Sequence, residues 1–135
     1  MAHVLVVDDD PGFRATVERM LRLLGYRVTL ACSGREGMDR FRAHRPDLVL
    51  MDAYMPDGDG IETMAELQAE APGTPVILVS GGGYLTRDEV LRLAARLGAF
   101  GTIGKPFSIE QLREALDAEL AAVRDPAEGS VGEAG

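Results

Sequence analysis

The side chains that could do chemistry in this sequence each stand at the end of a short apolar run. Asp8, Asp9 and Asp10 follow HVLVV, Asp52 closes LVLMD, Ser80 closes VILVS, and Lys105 follows FGTIG. Carboxylates gathered in one place repel one another unless a cation compensates them. No histidine or cysteine stands beside these residues, so the donor set is oxygen alone. That set suits Mg²⁺, which keeps several waters and takes one or two carboxylates together with phosphate oxygens. With such an ion in place, Asp52 can act as a nucleophile toward a phosphoryl group. The metal and Lys105 would neutralise charge on the transferring oxygens, and Ser80 could donate its hydroxyl to another. Singly, each feature is ordinary: Asp10 before Pro11 caps a helix, Asp ends many strands, and Lys-Pro forms common loops. The combination carries the reading.

These residues need elements to position them. Apolar runs at His3–Val7, Arg27–Ala31, Leu48–Met51, Val76–Val79 and Phe100–Gly104 read as strands. Helical spacing follows each: Phe13, Val17, Met20, Leu24; Met38, Phe41; Ile61, Met64, Leu67; Val90, Leu93, Ala94, Leu97; Leu112, Ala115, Leu116, Leu120. Ser33-x-x-Glu36, Thr86-x-x-Glu89 and Ser108-x-x-Gln111 are capping-box patterns, and Gly25 and Gly98 stand where helices end. Met20, Met38, Met64, Phe13 and Phe41 are read as core. Strict alternation with continuously apolar strands predicts a doubly wound (βα)₅ α/β fold, its parallel sheet covered on both faces. In such sheets the site lies outside the carboxyl ends of the strands. All the residues named above fall on that rim.

Composition narrows the function classes. A chain of 135 residues fits one domain. Its apolar runs are too short to cross a bilayer, and no secretory leader is evident, so a cytoplasmic protein with no membrane partner is expected. A net charge of −8 disfavours direct nucleic-acid contact. The single cysteine, Cys32, is expected to be a small buried hydrophobe without a redox role. From Arg124 onward RDPAEGSVGEAG lacks large apolar residues except Val131, so residues 1–123 are expected to form the domain and 124–135 a disordered tail. His3 and His44 stand at a chain start and a helix end. A phosphoryl-donating histidine is therefore expected on another protein.

Four segments, VLVVDDDP, DLVLMDAYMPDGDG, VILVSGGG and GKPF, occur in order and at a characteristic spacing. From Val4 to Val123 the chain resembles the receiver domains of bacterial two-component response regulators, of the chemotaxis-regulator type. The resemblance implies a five-stranded sheet in flavodoxin-like order 2-1-3-4-5, with Asp52 as phosphoacceptor. It implies that Asp9, Asp52 and the Tyr54 carbonyl bind Mg²⁺ directly, that Asp8 acts through water, and that Ser80 and Lys105 contact the phosphoryl group. The Lys105–Pro106 bond would be cis. The partners would be a sensor histidine kinase or histidine phosphotransfer protein and a downstream protein target, with catalysis limited to the domain's own phosphorylation and dephosphorylation. One departure stands out. Thr102 occupies the position, three before the lysine, where receivers carry Tyr or Phe, so Tyr84 and the loop of Gly81, Gly82 and Gly83 become candidates for the readout. Competing readings are a degenerate receiver that binds partners without phosphorylation and a small haloacid-dehalogenase-type phosphatase using Asp8-x-Asp10, whose usual length and following pattern are missing. A nucleotide binder is disfavoured because carboxylates stand where phosphate needs amides and hydroxyls.

Overall fold

The apolar runs pair into one parallel sheet in the order β2-β1-β3-β4-β5. Its strands are β1 (His3–Val7), β2 (Arg27–Ala31), β3 (Leu48–Asp52), β4 (Val76–Gly81) and β5 (Gly101–Lys105). The computed structural model describes residues 1–53, 55, 60–81, 86, 88–89, 92–93 and 100–124. Within them lie helices α1 (Pro11–Leu23), α2 (Gly34–His44), α3 (Gly60–Glu70) and α4 (Ile109–Arg124). Most of the helix expected around Val90 to Leu97, with Gly98, lies outside the described residues, as do Tyr54, Gly82, Gly83, Tyr84 and residues 125–135. The last helix runs to Arg124, one residue into the segment expected as tail.

Side-chain alternation along the strands splits the core in two. Leu5, Val7, Val49, Met51, Val76 and Leu78 pack with Met38 and Phe41 of α2 and Met64 and Leu67 of α3. Val4, Val6, Leu48, Leu50, Ile77 and Val79 pack with Val17 and Leu21 of α1 and Leu112 and Leu116 of α4. Because both faces are covered, β1 and β3 are buried along their whole length, which accounts for their uninterrupted apolar sequence. Leu21, four residues after Val17, is the more deeply buried partner that the expected stripe left out. Phe13 and Met20 are only partly buried.

The expected caps form. Asp10 accepts the backbone N–H groups of Gly12 and Phe13 at 3.0 and 3.3 Å, and Gly25 takes φ +94° just past the end of α1. Ser108 and Gln111 bond reciprocally at 3.1 and 2.8 Å, and so do Thr86 and Glu89 at the same distances. At α2 the reciprocal bond reaches one residue further back: Ser33 accepts the Glu36 N–H, and Glu36 accepts the N–H of Cys32 at 2.6 Å. This corrects the expectation for Cys32. The strand ends at Ala31, so Cys32 belongs to the turn, held by its backbone, and is exposed. Elsewhere the sheet is longer than the apolar runs alone indicated. Register pairs Asp52 with Val79, Ser80 with Gly104 and Gly81 with Lys105, so three polar residues of the rim are strand residues with ladder neighbours.

Candidate functional site

Asp8 leaves β1 with its backbone fixed from two sides. Its N–H donates to the Ala31 carbonyl at 3.1 Å, and its own carbonyl accepts Arg14 Nη1 at 2.6 Å. Its side chain is equally committed: Oδ1 accepts the Asp10 N–H at 2.8 Å and Oδ2 faces Lys105 Nζ at 3.3 Å. Lys105 Nζ also lies 3.9 Å from Asp52. Asp8 and Asp52 are 1% and 5% exposed, so solvent screens them poorly, whereas Asp9 is open to water.

Asp8, Asp9 and Asp52 each offer a carboxylate oxygen within 4.8 Å of the others. At an effective dielectric near 20, unit charges 4.8 Å apart repel by about 3 kcal/mol. Among the described residues Lys105 pairs with Asp8 and Asp52 but not Asp9, and Arg14 stands at the Asp8 carbonyl, so three carboxylates face two cations. Oxygen donors alone, with excess negative charge and one solvent-open carboxylate, fit a hard divalent cation that retains waters.

Other residues hold this arrangement in place. A Cβ at Gly60 would collide with the Asp52 carbonyl oxygen, so the start of α3 can approach β3 only because residue 60 is glycine. The face of the Phe13 ring lies 4.3 Å from Lys105 Nζ, and Phe107 meets that ring edge-on at 5.6 Å. Arg14, Phe13 and Gly60 were not assigned a role at the site from sequence. Phe13 reads as core because its spacing is helical, Arg14 reads as a polar helix position, and Gly60 hides within the glycine-rich DGDG.

The structure thus joins Asp8, Asp9, Asp52 and Lys105 by short distances. Ser80 is placed on the same rim by register, half-buried and one position beyond the ladder partner of Asp52. Tyr54, the expected carbonyl ligand, lies outside the described residues. Lys105–Pro106 is cis, as the resemblance implied. Thr102 is exposed on β5. A groove between α2 and α3 carries Arg35, Asp39, Arg42, Glu62 and Glu66. Its Arg42 is paired with Glu66 and Glu70 at 3.3 and 2.9 Å.

Residues 4–117 match the family model described as the response regulator receiver domain. The chain belongs to that family. The receiver is 38% identical over 119 residues to the transcriptional regulatory protein GlrR of Escherichia coli (strain K12), covering 88% of the chain and 26% of that protein. It is 37% identical over 120 residues to the response regulator MprA of Mycolicibacterium vanbaalenii, covering 87% of the chain and 50% of that protein. The receiver therefore spans half or less of these curated relatives. Among solved structures it is similar to the Vibrio cholerae chemotaxis protein CheY4, with a TM-score of 0.81 and 31% identity, covering 89% of this chain and 99% of that one. The receiver fold and its strand order are those expected. The family match, rather than the strand order, favours the receiver reading over the phosphatase and nucleotide-binder ones. Among the described residues, no helix is long and apolar enough to cross a membrane.

Proposed function

We propose that this receiver takes a phosphoryl group onto Asp52 in a Mg²⁺-dependent reaction and changes its affinity for a protein partner as a result. The observation that supports this most strongly is the cluster of Asp8, Asp9 and Asp52 at the strand ends, with the Lys105 ammonium beside Asp8 and Asp52. Asp9 and Asp52, with the Tyr54 carbonyl, would hold the ion directly. Asp8, whose oxygens already serve Asp10 and Lys105, would act through water. When bound, Mg²⁺ supplies charge neutralisation for the phosphoryl oxygens.

An Asp52 carboxylate oxygen forms the new O–P bond as the bond from phosphorus to the donor breaks, and the departing group leaves with the electron pair. Lys105 donates to one phosphoryl oxygen and Ser80 to another, each a charge-assisted hydrogen bond. The donor is a phosphohistidine on a sensor kinase or phosphotransfer protein. The chain acts on no other substrate. Residues 1–123 would form the receiver unit and 124–135 a tail, and the site of action would be the cytoplasm. A net charge of −8 favours output through a protein over nucleic-acid contact by these residues. Thr102 is too small to serve as a reporting ring, so the readout is assigned to the segment from Gly81 to Thr86 and the start of the following helix, most of which lies outside the described residues.

Incubation with acetyl phosphate, with Mg²⁺ or with EDTA, followed by peptide mapping, tests the reading. One phosphoryl adduct on Asp52, dependent on Mg²⁺, is the expected result. No adduct under any condition would make the chain a phosphorylation-independent binding module. An adduct on Asp8 or Asp10 would move the nucleophile to the first strand.

A further inference from the structure

Lys105 has a long, flexible side chain, yet its ammonium must reach two carboxylates, one just past β1 and one at the end of β3. Its Nζ lies 3.3 Å from Asp8, 3.9 Å from Asp52 and 4.3 Å from the centre of the Phe13 ring. The ring differs in kind from the other two partners. An aromatic face attracts a cation through its quadrupole, and of the three ammonium N–H groups at least two remain for the carboxylates. Phe13 is itself fixed. Its backbone N–H is tied to the Asp10 cap at 3.3 Å, and its ring abuts Phe107 at 5.6 Å with the planes 82° apart. Phe107 is only 8% exposed and follows Lys105 by two residues, so the ring and the lysine are anchored to one packed unit.

We propose that Phe13 is a positioning residue for phosphoryl transfer, its ring face holding the Lys105 ammonium over the carboxylate cluster. The proposal rests on Asp52 being the phosphoacceptor and adds a residue that touches neither the phosphoryl group nor the metal-binding oxygens. Phe13→Leu keeps an apolar side chain and removes the π face, whereas Phe13→Tyr keeps both. In the full chain with acetyl phosphate and Mg²⁺, Phe13→Leu is expected to slow Asp52 labelling about tenfold, a typical value for one partly desolvated cation–π contact. Phe13→Tyr should label at the wild-type rate. Mg²⁺ affinity should change by less than about twofold in both variants, since the ring holds the lysine and not the carboxylates.

A purely structural role behaves differently. Phe13 shares the Asp10 turn that follows Asp8 and Asp9, so loosened packing would weaken Mg²⁺ binding along with labelling. A parallel loss of both overturns the proposal, as does wild-type labelling by Phe13→Leu or failure of Phe13→Tyr to label normally. A second measurement needs no phosphorylation. The chain has four phenylalanines, so fluorophenylalanine incorporation gives four ¹⁹F signals. Lys105→Met in the unphosphorylated protein should move the Phe13 signal and leave that of Phe41, buried on the opposite face, in place. An unmoved Phe13 signal overturns the contact itself. A wild-type chain that takes no label overturns this role and the phosphoacceptor reading together, whereas labelled wild type with an equally fast Phe13→Leu overturns this role alone.

Discussion

The two ends of the sheet treat polar groups in opposite ways. At the amino end of β1, the His3 N–H donates to Asp47 at 2.7 Å, the His3 carbonyl accepts the Asp47 N–H at 2.8 Å, and the ring shares a hydrogen with Thr29 at 2.6 Å. The backbone N–H, the carbonyl and the ring Nε2 each have a partner, and His3 is buried at 7% exposure. At the carboxyl end, three carboxylates crowd within 4.8 Å, of which Asp8 and Asp52 share the Lys105 ammonium while Arg14 reaches the Asp8 carbonyl. The first end is balanced and serves the fold. The second is left short of positive charge, at a cost to stability that a domain accepts where chemistry is done.

Removing a carboxylate should therefore have its largest effect at the unbalanced end. Asp9→Ala is expected to abolish both Mg²⁺ binding and acetyl phosphate labelling, because it removes the carboxylate open to the ion while the fold persists. Calorimetric titration and intact mass check the pair of outcomes. Wild-type Mg²⁺ affinity in this variant would assign the ion elsewhere.

Gly60→Ala comes next. The added Cβ would meet the Asp52 carbonyl, so either α3 or the end of β3 must shift, at a cost of about 2 kcal/mol or more. Gly73→Ala, with nothing within 4 Å of the added atom, should stay within about 0.5 kcal/mol of wild type. Denaturant unfolding of the two variants would expose a wrong packing account if they proved equally stable.

The balanced end gives the smallest effect, and its sign follows from the proton equilibrium. Burial, then Arg27 and His44, push the His3 pKa below 6.5, with Asp47 opposing. Above 6.5 the ring is neutral folded or unfolded, and the comparison favours neither state. As pH falls through that value the unfolded chain takes up the proton first, so stability declines down to the folded pKa and levels off below it. Wild type should lose more unfolding free energy than His3→Gln between about pH 7.5 and 5.5. Equal losses would show that His3 is not the titrating group.

Much of this contrast was legible in sequence. Strand limits for β1 and β2, three capping boxes and the placing of Asp8, Asp9, Asp52 and Lys105 on one rim follow from local periodicity and the rule for parallel sheets. What sequence missed depends on contacts between elements. Asp52 and Lys105 continue their strands because neighbouring strands offer ladder partners, which no apolar run signals. Cys32 is exposed because its strand stops one residue earlier and its backbone serves a helix cap. Phe13 has the spacing of a core residue and the position of a lysine support, and only the fold brings residue 105 over residue 13.

The central claim is that the carboxyl end holds more negative charge than its described cations, Lys105 and Arg14, balance. Among the described charges, Asp8 and Asp9 each repel Asp52 by about 3 kcal/mol and Lys105 attracts it by about 4 kcal/mol, before water at exposed Asp9 weakens the repulsion. Thermal unfolding of wild type and Asp52→Asn, each in EDTA and in Mg²⁺, tests this most directly. In EDTA the variant should melt a few degrees higher, corresponding to about 1 kcal/mol for a domain of this size. Mg²⁺ should raise the wild-type midpoint and have a smaller effect on the variant. A variant that melts lower in EDTA and responds to Mg²⁺ like wild type would contradict the account, because Asp52 would then be a partner in a balanced network like the one around His3.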